Sequence, residues 1–420
     1  MVSLSVIPLM AQKLSPTEQK VVQQVHQHTG EAVKLLEAVV NINSGTLNHA
    51  GVRQVGALFR KELDAIGFTT QWITLPDSLN RAGHLFAERK GKKGKRLLLI
   101  GHLDTVFEPD SPFQRFEQKD SILKGPGVND MKGGDVVIIY ALKALYEAGV
   151  LDDTQIIVAF TGDEEAAGRP LSISRKDLMD AAKRSDAALA FETATGFGEA
   201  TVARRGSSNW QLRVTGKQAH SAGIFGAKAG SGAIYETARI LNSFYEELKG
   251  EKYLTFNPGV ILGGTDVTYM DSLAGGSATG KTNIIARSTV VTGDLRFISE
   301  VQKERTRTKM RQIVAKNLPG TSAAITFDDG YPAMPPTAGN EALLKVLNQV
   351  SLDMGQGPVK AYDPGGRGAG DVSFVAPYVS GLDGLGVMGS GAHSPAETMN
   401  LKTFETLIQR AALLIYRLTR

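Results

Sequence analysis

The sequence predicts an α/β fold, a mostly parallel sheet with helices on both faces, interrupted by a smaller inserted α+β domain. Two observations predict the first part. Short apolar runs (LLLI before Gly101, IIVAF ending at Phe160, AALAF ending at Phe191) have the length and apolar content of buried parallel strands. They alternate with helix-like segments, which is the rhythm of βαβ units. A third observation predicts the insert: from Gly206 the pattern changes to alternating, half-exposed strands.

The elements follow in order. Ser15, Pro16 and Glu18 supply an N-cap, a first helical proline and a capping-box acid, so a helix starts there. A second helix is expected over 52–66, ended by Gly67, and a third over 132–147, stopped by Gly149. The basic run RKGKKGKR, Arg89 to Arg96, reads as a solvated hairpin turn. In the insert, WQLRVTG from Trp210 is a strand, 232–248 a helix, NIIARSTVVTGDLRF a strand, and 301–317 a helix. The implied organisation is 1–14 as a disordered start or signal remnant, 15–205 and 322–420 as two parts of a catalytic domain, and 206–321 as the insert. No internal repeat or low-complexity stretch is visible.

Composition bounds the function. The chain has 420 residues, 42% of them hydrophobic, enough for two cores. Lys and Arg number 47 against 43 Asp and Glu, a formal charge of +4, too slight and scattered to argue for nucleic acid. No run of about 18 apolar residues is available to span a membrane. The start, MVSLSVIPLMAQ, resembles the stub of a secretory signal without its basic region, which favours a periplasmic or secreted protein over a cytoplasmic one. Cysteine is absent, so disulfides and thiolate ligands are ruled out.

Acids and histidines stand just beyond the apolar runs: His102 and Asp104, Asp130, Glu164 and Glu165, Glu192, and His393. Ligands bind beyond the carboxyl ends of strands in open α/β sheets, so these residues point to one composite site. Asp104 is two residues from His102 on an extended segment and can reach its imidazole. Asp130 lies in a glycine-rich turn and could bridge two cations, with His102 and Glu192 around one and Glu165 and His393 around the other. Nitrogen and carboxylate ligands suit catalytic zinc, with cobalt or manganese as substitutes. Glu164, adjacent to Glu165 but pointing elsewhere, is the candidate general base. His26 and His28 read as a solvated helix face; His49 and His84 carry no assignment.

The segments GHLDTV, GPGVNDMKGG, GDEEAAG, FET, KQAHSAG and AHSPAE occur in the order seen in the M20 metallopeptidases. The chain resembles that family over nearly its whole length, most of all its glutamate carboxypeptidase (carboxypeptidase G2-like) branch. The resemblance implies a zinc-exopeptidase fold and two Zn2+ per subunit, held by His102, Asp130, Glu165, Glu192 and His393. It makes Asp104 the carboxylate behind the histidine and Glu164 the base. It makes the insert a lid and dimerisation domain, with His220 entering the site of the partner subunit in a homodimer and Asn283 and Arg296 holding substrate. For Arg296 a surface ion pair on a strand is the competing reading. The implied reaction removes a C-terminal amino acid, glutamate foremost, from an N-acyl or short peptide substrate; an aminoacylase or dipeptidase is the alternative.

The chain departs from the branch at Ala286, where the family has proline, at Tyr331-Pro332-Ala333, at Arg367 in GGRGAGD, and in an extra stretch over 266–281. These departures leave the side-chain specificity open. Two readings from other classes compete: GGSATGKT, Gly275 to Thr282, fits the P-loop pattern, although β-branched residues rather than a helix follow it. A non-catalytic scaffold is the other.

Overall fold

The computed structural model describes residues 14–420. The first thirteen positions, where the signal remnant was read, lie outside the described residues. The described residues form two compact units, 14–202 with 336–363 and 370–420, and 203–335 with 364–369.

In the first unit a six-stranded sheet runs in the order Thr69–Ile73, His84–Arg89, Thr154–Thr161, Lys93–His102, Ala187–Ala190, Ser380–Leu382. The last four strands are mutually parallel, and the first two are antiparallel edge additions. The central strands carry unbroken buried runs such as Leu97 to Ile100, as expected of strands covered on both faces. Helices Pro16–Val40, Lys132–Glu147 and Leu401–Leu418 pack on one another in the same core cluster.

Local signals explain the helix ends. Glu18 N–H donates to Ser15 Oγ while Glu18 Oε2 accepts from Ser15 N–H, the reciprocal capping box. Lys132–Glu147 has the expected bounds, and the second helix starts earlier, at His49, capped by the Asn48 side chain. Among the described residues no helix is long and apolar enough to cross a membrane.

The basic run is exposed but is not a hairpin turn. Strands His84–Arg89 and Lys93–His102 are not neighbours; Thr154–Thr161 lies between them and pairs with both. The amides of Lys92 and Lys93 donate to Asp153 O at 2.8 Å, so the run crosses the start of that middle strand.

The second unit is a four-stranded antiparallel sheet, Thr255–Gly264, Ser288–Phe297, Gly206–Gly216, Thr321–Asp329, with helices Gly232–Leu248 and Glu300–Val314. Gly206–Gly216 alternates buried and exposed along its length, placing Trp210, Leu212 and Val214 in this unit's core. The insert extends past the expected boundary at 321 because Thr321–Asp329 pairs with Gly206–Gly216 along its whole length. Residues 364–369 join the same unit: Arg204 Nη1 donates to Gly368 O and Ala369 O, and Arg205 Nη2 to Gly365 O.

The P-loop reading fails on geometry. Gly275–Thr279 is the return strand of a hairpin paired with Asp266–Met270, and the next regular element after Lys281 is the strand Ser288–Phe297. No helix opens after the glycines, so the amide cradle that a phosphate needs is not formed.

Candidate metal centre

The strand Lys93–His102 turns from exposed to buried along its length and delivers His102 at its carboxyl end, almost fully enclosed. The next two ligand-bearing segments emerge at the same edge, from Thr154–Thr161 and Ala187–Ala190, because all three strands are parallel neighbours. His102 Nε2 lies 3.3 Å from Asp130 Oδ1 and 3.8 Å from Glu192 Oε1. His393 Nε2 lies 3.1 Å from Asp130 Oδ2 and 3.0 Å from Glu165 Oε2.

Two triads therefore form, His102–Asp130–Glu192 and Asp130–Glu165–His393, each with ligand atoms within 4.8 Å of one another and with Asp130 common to both. Two ligands held about 2.05 Å from a tetrahedral ion are separated by about 3.3 Å, so three of these four contacts have the spacing of a first coordination shell. The two oxygens of Asp130 face different imidazoles, as a bridge requires.

Asp104 does more than orient His102. His102 Nδ1 is 3.1 Å from the main-chain oxygen of Asp104 and 3.4 Å from its carboxylate. That fully buried carboxylate accepts from Thr46 Oγ1 at 2.6 Å, Glu164 N–H at 3.0 Å and Glu165 N–H at 3.1 Å. One side chain thus fixes both the histidine and the backbone of the two glutamates.

The charges are tightly balanced. For His102, burial opposes protonation, but Asp104 and Asp130 outweigh it and hold the pKa well above the usual imidazole value. His393 is raised to about 11 by Asp130 and Glu165. Burial raises Asp130, yet the two histidines win and hold it below the usual carboxylate range. Glu164 moves the other way: burial, opposed by His102 and reinforced by the charges of Glu192, Asp371 and Glu165, lifts it well above the usual range. Burial and the neighbouring acids thus favour the protonated form of Glu164, the opposite of what the histidines do to Asp130.

Several residues that sequence reasoning did not single out support this centre. Glu397, fully buried in AHSPAE, accepts from the amides of Gly127, Asn129 and Asp130. Lys132 in GPGVNDMKGG is enclosed and donates Nζ to Val39 O and Ile42 O, both at 3.0 Å. Arg175, fully buried, joins Asp163, next to Glu164, to Asp371 through bonds of 2.5 and 2.7 Å. Asp371 Oδ2 in turn accepts from Thr161 Oγ1 at 2.6 Å. His84 Nδ1 accepts from Gly162 N–H, so its Nε2 donates to Ser174 O and the ring is a buried tie beneath the Glu164 loop. Motif membership marked Glu397 and Lys132; nothing local marks Arg175 or His84. His26 and His28 sit on the first helix, where His26 pairs with Glu405 of the last helix and His28 with Glu31 and with Glu147 of the helix Lys132–Glu147, and His49 bonds Asn80 O.

His220, Asn283 and Arg296 lie in the second unit. Ser221 N–H donates to Asn283 O at 2.9 Å and Ile285 N–H to Ala219 O at 2.8 Å, so the segments of His220 and Asn283 lie side by side. His220 is exposed and its Nδ1 accepts from Ala222 N–H. Arg296 Nε donates to Asp294 Oδ2 at 2.8 Å with both side chains half-exposed, the ion pair of the competing reading.

A peptidase of this kind is what the parallel sheet, the shared-acid ligand set and the raised glutamate define together, and comparison with known proteins agrees. The chain belongs to Peptidase family M20/M25/M40, whose model it matches over residues 98–417. It is 29% identical over 396 residues to carboxypeptidase G2 of Pseudomonas sp. (strain RS-16), covering 91% of this chain and 88% of that one. In structure it is similar to aminopeptidase PepT of Bacillus cereus ATCC 10987, with a TM-score of 0.75, 18% identity, and coverage of 93% of this chain and 99% of the other. It is also similar to a Bacillus subtilis protein described as a dinuclear metal binding peptidase of the M20 family, with a TM-score of 0.67, 13% identity, and 94% and 99% coverage.

Proposed function

We propose that this chain is a dinuclear metal-dependent amidohydrolase that releases a C-terminal amino acid, glutamate foremost, from N-acyl or short peptidyl substrates. The observation that carries this reading is the pair of nitrogen–carboxylate triads sharing Asp130, with Glu164 raised beside them. The donor set fits zinc, with cobalt or manganese as substitutes, because it offers two imidazoles and three carboxylates and no thiolate. Bound here, two such cations would polarise a substrate carbonyl and lower the pKa of a water towards neutral. Glu164 takes the proton of the attacking water and returns it to the leaving nitrogen. Asp104 keeps Glu164 and Glu165 in place through their amides while it orients His102.

His220, Asn283 and Arg296 are assigned to oxyanion and carboxylate binding, and the second unit to lid and dimerisation. Exposed Ile234, Tyr235 and Tyr245 on Gly232–Leu248, with exposed Ile261 on the sheet's outer strand, support an interface between two copies. The Arg296–Asp294 pair favours a second reading, an aminoacylase or dipeptidase with another side-chain preference, because that guanidinium is already partnered. An intact Glu164 and complete triads speak against a non-catalytic scaffold.

Glu164→Gln tests the mechanism. It should fold and bind both cations yet lower kcat by about 10²–10⁴-fold, the range for a positioned acid–base group. Normal turnover by this variant would refute the assignment.

A further inference from the structure

Two loops meet at the Asp130–Glu165–His393 triad, and one buried side chain ties them together. The strands Ile122–Lys124 and Thr398–Asn400 pair antiparallel, Lys124 opposite Thr398, so the turn after the first lies beside the loop before the second. The turn 125–130 ends in Asp130, and the loop 391–397 carries His393 near one end and Glu397 at the other. Gly127, at φ +80°, helps curl the turn until three of its N–H groups face inward. Closely spaced amides turned to one side in this way, those of 127, 129 and 130, form a cradle for an anion, while Val128 N–H donates to Gly125 O within the turn.

The anion is Glu397. Its Oε2 accepts from Gly127 N–H at 3.1 Å, and its Oε1 accepts from Asn129 N–H at 2.8 Å and Asp130 N–H at 2.9 Å. The loop bearing it is itself braced: Glu397 N–H donates to Ser394 O at 3.0 Å and Ser394 N–H to Gly391 O at 3.1 Å. His393, held at φ +62° within that brace, reaches Asp130 Oδ2 at 3.1 Å. The main chain of Asp130 is therefore fastened to one end of a short loop whose other end supplies the facing imidazole.

We propose that Glu397 is a positioning residue: by binding the amides of the 127–130 turn it sets the spacing of Asp130 and His393, and so governs how tightly their triad holds a divalent cation. The inference rests on the two-metal reading above. An uncharged amide at 397 keeps the shape of the side chain but turns an N–H donor towards one or two of the amide donors, which pushes the turn away from the loop.

The test is zinc binding by metal-stripped protein, titrated against a competing chelator, for the wild type, Glu397→Gln, His393→Ala and the double variant. Circular dichroism and the unfolding temperature of each metal-free form are recorded alongside. Glu397→Gln should bind the second zinc ion at least tenfold more weakly and lose less at the first, whose triad also contains Asp130 but is not joined to the 391–397 loop. The double variant should lose no more at that second ion than His393→Ala alone. Two ions bound by Glu397→Gln with wild-type affinity would overturn the inference, whatever its unfolding temperature. Should Glu397→Gln fail to fold, Glu397→Asp keeps the charge with a shorter reach; it should lose second-ion affinity to a smaller degree, and unchanged affinity there overturns the inference equally. Wild-type protein that binds no divalent ion would overturn the two-metal reading itself, and this inference with it.

Discussion

Replacing Arg175 by methionine removes one charge from a site that water does not reach. The guanidinium's bonds include Nε to Asp371 Oδ1 at 2.7 Å, Nη1 to Asp163 Oδ1 and to Ser174 Oγ, both at 2.5 Å, and Nη2 to Asp163 O at 3.0 Å. Arg175 is fully buried, as is Asp163, and Asp371 is 4% exposed, so solvent cannot take over the lost interactions. Methionine fills much of the volume but leaves two carboxylates facing each other across it. Removing one partner of a buried ion pair costs about 3–5 kcal/mol, and two acids here share the cation, so the upper part of that range is expected. Urea unfolding of the metal-free protein measures the change. A loss below about 1 kcal/mol, the range of exposed pairs, would show that the network does not hold the Glu164 loop. The exposed Arg96–Asp186 pair is the control, and Arg96→Met should leave the midpoint close to that of the wild type.

Gly101→Ala places a Cβ 2.0 Å from Asp135 Oδ1, in a buried region where neither oxygen of Asp135 has a hydrogen-bond partner. Overpacking of this kind costs about 1–3 kcal/mol, measurable in the same urea titration; a neutral result would mean that the helix Lys132–Glu147 shifts freely. The metal-free protein should also lose stability with rising pH. His393 is raised from 6.5 to about 11 in the folded state by Asp130 and Glu165, so its contribution is complete below about pH 6.5 and is lost as pH climbs towards 11. The unfolding temperature of stripped protein should fall across that window, and a flat profile would contradict the pairing. Zinc must displace those protons, so its uptake should release them, with affinity increasing with pH; calorimetry in buffers of different ionisation heat reads the release directly.

Three ligands, His102, Glu165 and Glu192, were legible in sequence because each follows an apolar run that forms a buried strand, and a parallel sheet gathers strand ends on one edge; Asp130 and His393 instead sit on loops outside that sheet, and the apolar run before His393 is not a strand of it. The helix over 132–147 was equally legible, with Gly149 beyond it at φ +74°. What escaped depends on pairing between distant segments. Nothing in RKGKKGKR reveals that a third strand separates the two it connects. Thr321–Asp329 alternates like any half-exposed strand, and only its partner, Gly206–Gly216, assigns it to the second unit. Arg175 reads as one more charged residue before a short helix; its two acids come from positions 163 and 371. Glu397 stood inside a recognised motif, but its three amide donors lie some 270 residues earlier in the chain.

The central claim is metal-dependent release of an amino acid from an amide. The measurement that tests it most directly is amino-acid release from a panel of N-acyl amino acids and dipeptides, by protein stripped with a chelator and then reloaded with zinc. Release should be absent after stripping, return with two zinc ions per chain, and be concentrated on one class of C-terminal side chain. Release that persists in stripped protein, or none from any member with two ions bound, would contradict the claim.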